Sequence, residues 1–128
     1  MNKKKILIID DEVDIANNIK AILSDENYKT SIAHNSKDAL QLLSENNYNL
    51  IILDVWLTNS ELDGIGILKK LRETSLTPVI IISGHGNIEM AVKAIKEGAN
   101  EFIEKPFTTE RLLLSVSRSI ELHEIKSE

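Results

Sequence analysis

The sequence predicts an α/β domain, a doubly wound, five-stranded parallel sheet with helices on both faces. Three observations carry that prediction. Residues 6–9 (ILII), 50–53 (LIIL) and 79–82 (VIII) are short apolar runs without polar alternation. Runs of that kind read as strands buried on both faces, the environment of a central parallel strand. Helical periodicity fills the intervals between the strands, so strand and helix alternate five times with right-handed crossovers. The chain has 128 residues, enough for one core.

Taken in order, residues 6–9 form the first strand, and Ile15, Ile19, Ile22 and Leu23 then share one helical face. A weaker strand at 30–33 is more polar and belongs nearer an edge of the sheet. Ser36 is placed to cap the second helix, on which Ala39, Leu40 and Leu43 line up. The strand 50–53 is followed by Asp63-Gly64 and by a helix carrying Ile65, Leu68 and Leu71. After 79–82, Ile88, Ala91, Val92 and Ile95 mark a fourth helix that stops at Gly98, a favourable C-terminal cap. A second weak strand at 101–104 precedes a helix that starts near Thr108 or Thr109 and carries Leu112, Leu113, Val116 and Ile120. Residues 121–128 are polar, either the frayed end of that helix or the start of a linker, so the domain is expected to occupy 1–121.

Composition narrows the function. Hydrophobic residues make up 42% and charged residues 27%, a soluble globular balance. There is no cysteine, which removes disulfides, thiol catalysis and thiolate metal sites and suits the cytoplasm. The basic start, Met1-Asn2-Lys3-Lys4-Lys5, leads into only a short apolar run and then acids, which is not a signal peptide. No apolar run approaches the roughly 20 residues that span a bilayer. A net charge of −5 and an aromatic content of 4% argue against direct nucleic-acid binding, which calls for basic and stacking surfaces.

The polar residues fall where an open parallel sheet binds its ligands, beyond the carboxyl ends of the strands. Asp10-Asp11 ends the first strand, Asp54 the third, Ser83-Gly84 the fourth and Lys105-Pro106 the fifth. A lone Asp at a strand end is usually a cap and a lone Lys-Pro usually a loop; the signal lies in their joint placement on one rim. Carboxylates gathered there repel one another, and a hard divalent cation relieves the repulsion. Lys105 supplies a point charge and Ser83 a hydroxyl for phosphoryl oxygens. An aspartate so surrounded is a reasonable phosphoryl acceptor.

These residues resemble the receiver domain of two-component response regulators, from about Lys5 to Ile120. The resemblance rests on Asp10-Asp11, Asp54, Asp63-Gly64, Ser83-Gly84 and Lys105-Pro106. It implies a flavodoxin-like (βα)5 three-layer sandwich with strand order 2-1-3-4-5, in which Asp54 takes a phosphoryl group from a sensor histidine kinase. It implies Mg²⁺ (with Mn²⁺ or Ca²⁺ as substitutes) held by Asp11, Asp54 and the Trp56 backbone carbonyl, with Asp10 acting through water. Ser83 and Lys105 would contact the phosphoryl group, Pro106 would follow a cis peptide, and Ser83 with Phe102 would form the switch. The segments DVWL, SGHG and EFIEKPF look most like the NtrX/NtrC-type nitrogen-regulation branch. In that branch an ATPase module and a DNA-binding domain follow the receiver, so the chain is expected to be one part of a longer transcription factor. Homodimerisation would use the faces of the fourth helix, fifth strand and fifth helix, with Lys93, Lys96, Arg111 and Arg118 facing Glu97, Glu101, Glu104 and Glu110.

Two features depart from the family pattern. Thr58 stands where receivers commonly have proline, and Asp54 to Asp63 spans nine positions rather than seven, a longer loop beside the acceptor that fits the NtrX side. Trp56 is bulky, and its side chain beside Asp54 is expected to shield a phosphoryl group from water. His34, His85 and His123 show no ligand spacing. Among other classes, a flavin-binding relative of the fold would need a phosphate-cradling loop where Asp10-Asp11-Glu12 stands. An aspartate-nucleophile hydrolase usually has a second Asp at the position of Trp56. A docking-only pseudo-receiver would have no need for the complete set of site residues.

Overall fold

The structure is a computed structural model that describes residues 3–57, 62–84 and 88–127. Thr58 and His85, and with them residues 59–61 of the long loop before Asp63, lie outside the described residues. The elements alternate as predicted: β1 (Lys5–Ile9), α1 (Val13–Asp25), β2 (Lys29–Ala33), α2 (Ser36–Glu45), β3 (Leu50–Asp54), α3 (Gly64–Arg72), β4 (Val79–Ser83), α4 (Ile88–Lys96), β5 (Glu101–Glu104) and α5 (Thr109–Ser127). The five strands are all parallel, in the order β2-β1-β3-β4-β5. This is the flavodoxin-like receiver fold, and the two polar strands, β2 and β5, are the edges.

Successive strand residues face opposite sides of the sheet, and each side builds its own core. Ile6, Ile8, Leu50, Ile52, Ile80 and Ile82 pack against Ala16, Ile19 and Leu23 of α1 and Leu112, Val116 and Ile120 of α5. On the other side Leu7, Ile9, Ile51, Leu53, Val79 and Ile81 meet Ala39 of α2, Ile65, Ile67, Leu68 and Leu71 of α3, and Ala94 of α4. The apolar runs therefore lack alternation because both sides of β1, β3 and β4 are covered.

One local expectation is corrected. Asn35, not Ser36, caps α2: its side-chain oxygen accepts the Asp38 N–H at 2.8 Å. Ser36 is buried instead, and its Oγ accepts the Leu62 N–H at 3.1 Å. On α4 the large aliphatic residues do not face the core. Ala91 and Ala94 are fully buried, whereas Ile88, Val92 and Ile95 are 59%, 48% and 42% exposed. The small alanines let α4 lie close to β4 and turn an apolar strip outward.

The last helix begins as read. Thr108 Oγ1 accepts the Arg111 N–H at 3.1 Å, and α5 continues to Ser127. Glu101 on the edge strand is held by α5, accepting from Ser115 Oγ at 2.8 Å, Arg111 at 3.0 Å and Arg118 at 2.6 Å. Burial pushes Glu101 up, but these bonds more than offset it, and its carboxyl lies below the usual range. Three charges expected to face a second molecule, Glu101, Arg111 and Arg118, thus pair within the chain.

Candidate phosphoacceptor site

Parallel pairing in register brings the ends of β1, β3, β4 and β5 to one rim, and each delivers a predicted residue there. Asp10 follows β1 directly, and its N–H donates to the Ala33 carbonyl at 3.1 Å. Its Oδ1 accepts the Glu12 N–H at 2.9 Å, which bends the chain into α1. Asp54 is the last residue of β3, and its Oδ1 accepts the Trp56 N–H at 3.1 Å. Ser83 ends β4 and is buried; its carbonyl accepts the Lys105 N–H at 2.7 Å, so the hydroxyl residue and the lysine sit on neighbouring strand ends. The Lys105–Pro106 peptide is cis.

Lys105 Nζ joins the three loops. It lies 3.3 Å from Asp54 Oδ2, 3.4 Å from Asp10 Oδ2 and 3.4 Å from Glu12 Oε1. Burial lowers the tendency of this ammonium to stay charged, but the carboxylates of Asp54 and Asp10 outweigh it and its pKa is raised. One ammonium does not balance the site. Asp54 is pushed up to about 7, first by burial and then by the Asp10 charge, with Lys105 pulling only partly the other way.

The acids gather as the sequence suggests. Asp10, Asp11, Glu12 and Asp54 each offer a carboxylate oxygen, all within 4.8 Å of one another. Asp10 and Asp54 are buried and Asp11 is half-buried. Asp10 Oδ2 is buried and accepts no hydrogen bond among the described residues, its ion pair with Lys105 notwithstanding. An oxygen-only donor set with an unsatisfied buried carboxylate oxygen fits a hard divalent cation.

The Asp63-Gly64 pair acts through the backbone. Asp63 caps α3 by accepting the Gly66 N–H at 2.8 Å. The Gly64 N–H donates to the Val55 carbonyl at 3.1 Å, which seats α3 directly against the end of β3. Trp56 is half exposed beside Asp54. Phe102 is half-buried on β5, paired in register with Ile81 and packed on the core beneath α3 and α4. By strand alternation Ser83 and Phe102 lie on the same side of the sheet.

Sequence reading missed two residues. Glu12 entered only as part of the segment where a flavin-binding loop would have to stand, yet it reaches both the acid cluster and Lys105; its place after the acid pair is the signal that marks it. His34 carried no signal, and its Nδ1 lies 2.8 Å from the Asp10 carbonyl oxygen.

Comparison with known proteins agrees with this geometry. Residues 6–117 match the model of the response regulator receiver domain. An NtrX-like response regulator of Rickettsia bellii is 50% identical over 124 residues, 96% of this chain and 26% of that protein. The nitrogen assimilation regulatory protein NtrX of Azorhizobium caulinodans is 47% identical, again over 96% of this chain and 27% of its own length. The crystal structure of the receiver domain of NtrX from Brucella abortus superposes with a TM-score of 0.88 at 46% identity, covering 91% of this chain and 98% of that one. In a longer Brucella NtrX structure the match has a TM-score of 0.95 and takes up 29% of that chain. The chain thus spans about a quarter of the length of the NtrX-type curated relatives it matches. With its fold, its rim of acids and its matched residues, the chain belongs to the response regulator receiver domain family and, within that family, is similar to the NtrX branch.

Proposed function

We propose that Asp54 accepts a phosphoryl group from the phosphohistidine of a sensor histidine kinase, and that the modified chain switches its α4–β5–α5 face to control an output domain. The observation that carries this reading is the convergence on Asp54 of Lys105, at 3.3 Å, and three further carboxylates at the carboxyl-end rim. Asp11, Asp54 and the Trp56 carbonyl would hold the cation, with Asp10 acting through water; Mg²⁺ suits a site that must leave room for phosphate, and Mn²⁺ or Ca²⁺ can substitute. When bound, the cation offsets the carboxylate charges, which favours the ionised, nucleophilic form of Asp54.

The chemistry of the chain's own residues is short. A carboxylate oxygen of Asp54 attacks phosphorus in line, the phosphorus–nitrogen bond breaks, and the departing imidazole keeps the electron pair and takes up a proton. Lys105 neutralises charge on the transferring group. Ser83 donates its hydroxyl to a phosphoryl oxygen, and the space it leaves admits the Phe102 ring on the same side of the sheet. The phosphoryl group shifts the balance of two states through contacts it makes in only one of them. The chain catalyses only its own phosphotransfer and dephosphorylation. Replacing Trp56 with Ala is expected to shorten the aspartyl-phosphate lifetime, read by the decay of phosphorylated mass; an unchanged decay would remove the shielding role.

By resemblance, residues 1–121 form the receiver, 122–128 are the frayed end of α5 or the start of a linker, and the whole protein would add an ATPase module and a DNA-binding domain that act on transcription. Among the described residues no helix is long and apolar enough to cross a membrane. A second copy would dock on the α4–β5–α5 face, where Ile88, Val92 and Ile95 of α4 and Leu114 of α5 are exposed. Val92→Glu puts an unpaired charge there and is expected to weaken association of the phosphorylated chain at least about tenfold in sedimentation. Association equal to wild type would move the interface elsewhere.

Intact mass after incubation with Mg²⁺ and acetyl phosphate tests the reading. A gain of one phosphoryl group (roughly 80 Da), lost without Mg²⁺ and in Asp54→Asn, is expected. No gain from acetyl phosphate or from a phosphorylated kinase would favour the alternative, a docking module that works without phosphorylation.

A further inference from the structure

The turn between β2 and α2 touches two of the loops that carry the site, those after β1 and β3. On one side it holds Asp10 from two directions: the Asp10 N–H donates to the Ala33 carbonyl at 3.1 Å, and the His34 ring meets the Asp10 carbonyl at 2.8 Å. A carbonyl oxygen can only accept, so His34 Nδ1 carries the proton and donates. On the other side, buried Ser36 accepts the Leu62 N–H at 3.1 Å, in the loop that follows Asp54.

The bond from His34 falls on a particular peptide. The Asp10 carbonyl and the Asp11 nitrogen belong to one rigid plane. Fixing the direction of that carbonyl fixes where the chain leaves for Asp11, and hence how the two neighbouring carboxylates stand relative to each other. Asp10 is further constrained by its own side chain, which accepts from Glu12 at 2.9 Å.

We infer that His34 is a positioning residue for the divalent-cation site: it sets the peptide plane between Asp10 and Asp11, and so the affinity for the cation, without touching the cation. This rests on the reading that those acids hold a cation. Outer groups that orient ligands are typically worth tenfold or more in metal affinity.

The test is Mg²⁺ binding to the whole chain, by calorimetry and by emission of Trp56, the only tryptophan, whose backbone N–H donates to Asp54. Wild type is compared with His34→Ala, His34→Phe and His34→Asn, beside thermal unfolding in EDTA. Phe keeps the bulk of the ring without the donor, so a fold intolerant of Ala still yields the comparison. Asn places an amide N–H where Nδ1 was. The expected result is Mg²⁺ affinity about tenfold weaker in the Ala and Phe variants and largely restored in Asn. Affinity in His34→Phe equal to wild type, or a change confined to the unfolding temperature in EDTA, would overturn the inference alone. A wild-type chain that binds no Mg²⁺ would overturn the functional reading and this inference with it.

Discussion

Replacing Asp54 with Asn should make the cation-free protein more stable at pH 8 while abolishing its phosphorylation. Asp54 is buried beside Asp10 and its carboxyl is pushed up to about 7 in the folded chain, above its ordinary value in an unfolded one. A group raised in this way contributes its stability below the unfolded pKa and loses it as pH rises through the folded one. Cation-free wild type should therefore lose stability between about pH 4 and pH 7, and Asp54→Asn should largely remove that slope. At pH 8 the gain is expected to be on the order of 1–3 kcal/mol, partly offset because Lys105 loses its nearest partner. Urea unfolding across pH in EDTA checks it. Adding Mg²⁺ should stabilise wild type at pH 8 far more than Asp54→Asn. Parallel pH profiles for the two proteins would mean that Asp54 is not the strained group.

Gly64→Ala should cost about 3 kcal/mol and disturb the acceptor at the same time. A Cβ built on Gly64 would lie 2.3 Å from the Asp54 carbonyl oxygen and 2.7 Å from the Val55 Cα. Those neighbours are backbone, not flexible side chain, so α3 or the end of β3 has to move. The Gly64 N–H also holds the Val55 carbonyl, so retreat of α3 stretches that bond. Gly66→Ala is the internal control, because its added Cβ meets mainly the Leu62 side chain at 3.2 Å and 3.3 Å, which can give way. Denaturant midpoints and Mg²⁺ affinity should both drop for Gly64→Ala, and fall much less for Gly66→Ala. Equal losses would show that the close approach of α3 to the acceptor strand is not the reason for this glycine.

The order of elements was legible because β1, β3 and β4 are short, unalternating and β-branched, a pattern few other environments produce. The rim was legible because four of the strands end in polar residues, acids after β1 and β3, a serine at β4 and a lysine after β5, that together suit one site. What the pattern could not show depends on neighbours distant in sequence. Ser36 looks like a cap, yet its hydroxyl serves the loop before Asp63, and Asn35 caps in its place. The periodicity of α4 is satisfied by either of two faces; close packing on β4 selects the alanines and leaves Val92 outside. Glu101 reads as an edge charge, but the approach of α5 surrounds it with Ser115, Arg111 and Arg118. His34 binds a backbone carbonyl, and a bond to a backbone leaves no residue type to recognise in the sequence.

The central claim is that Asp54 itself carries the phosphoryl group. Borohydride reduces an aspartyl phosphate to homoserine, so reduction after treatment with Mg²⁺ and acetyl phosphate, followed by peptide mass mapping, marks the acceptor directly. Homoserine is expected at position 54 alone, with Asp10 and Asp11 unchanged. Homoserine at either of those two positions, or a phosphorylated chain that yields none, would contradict it.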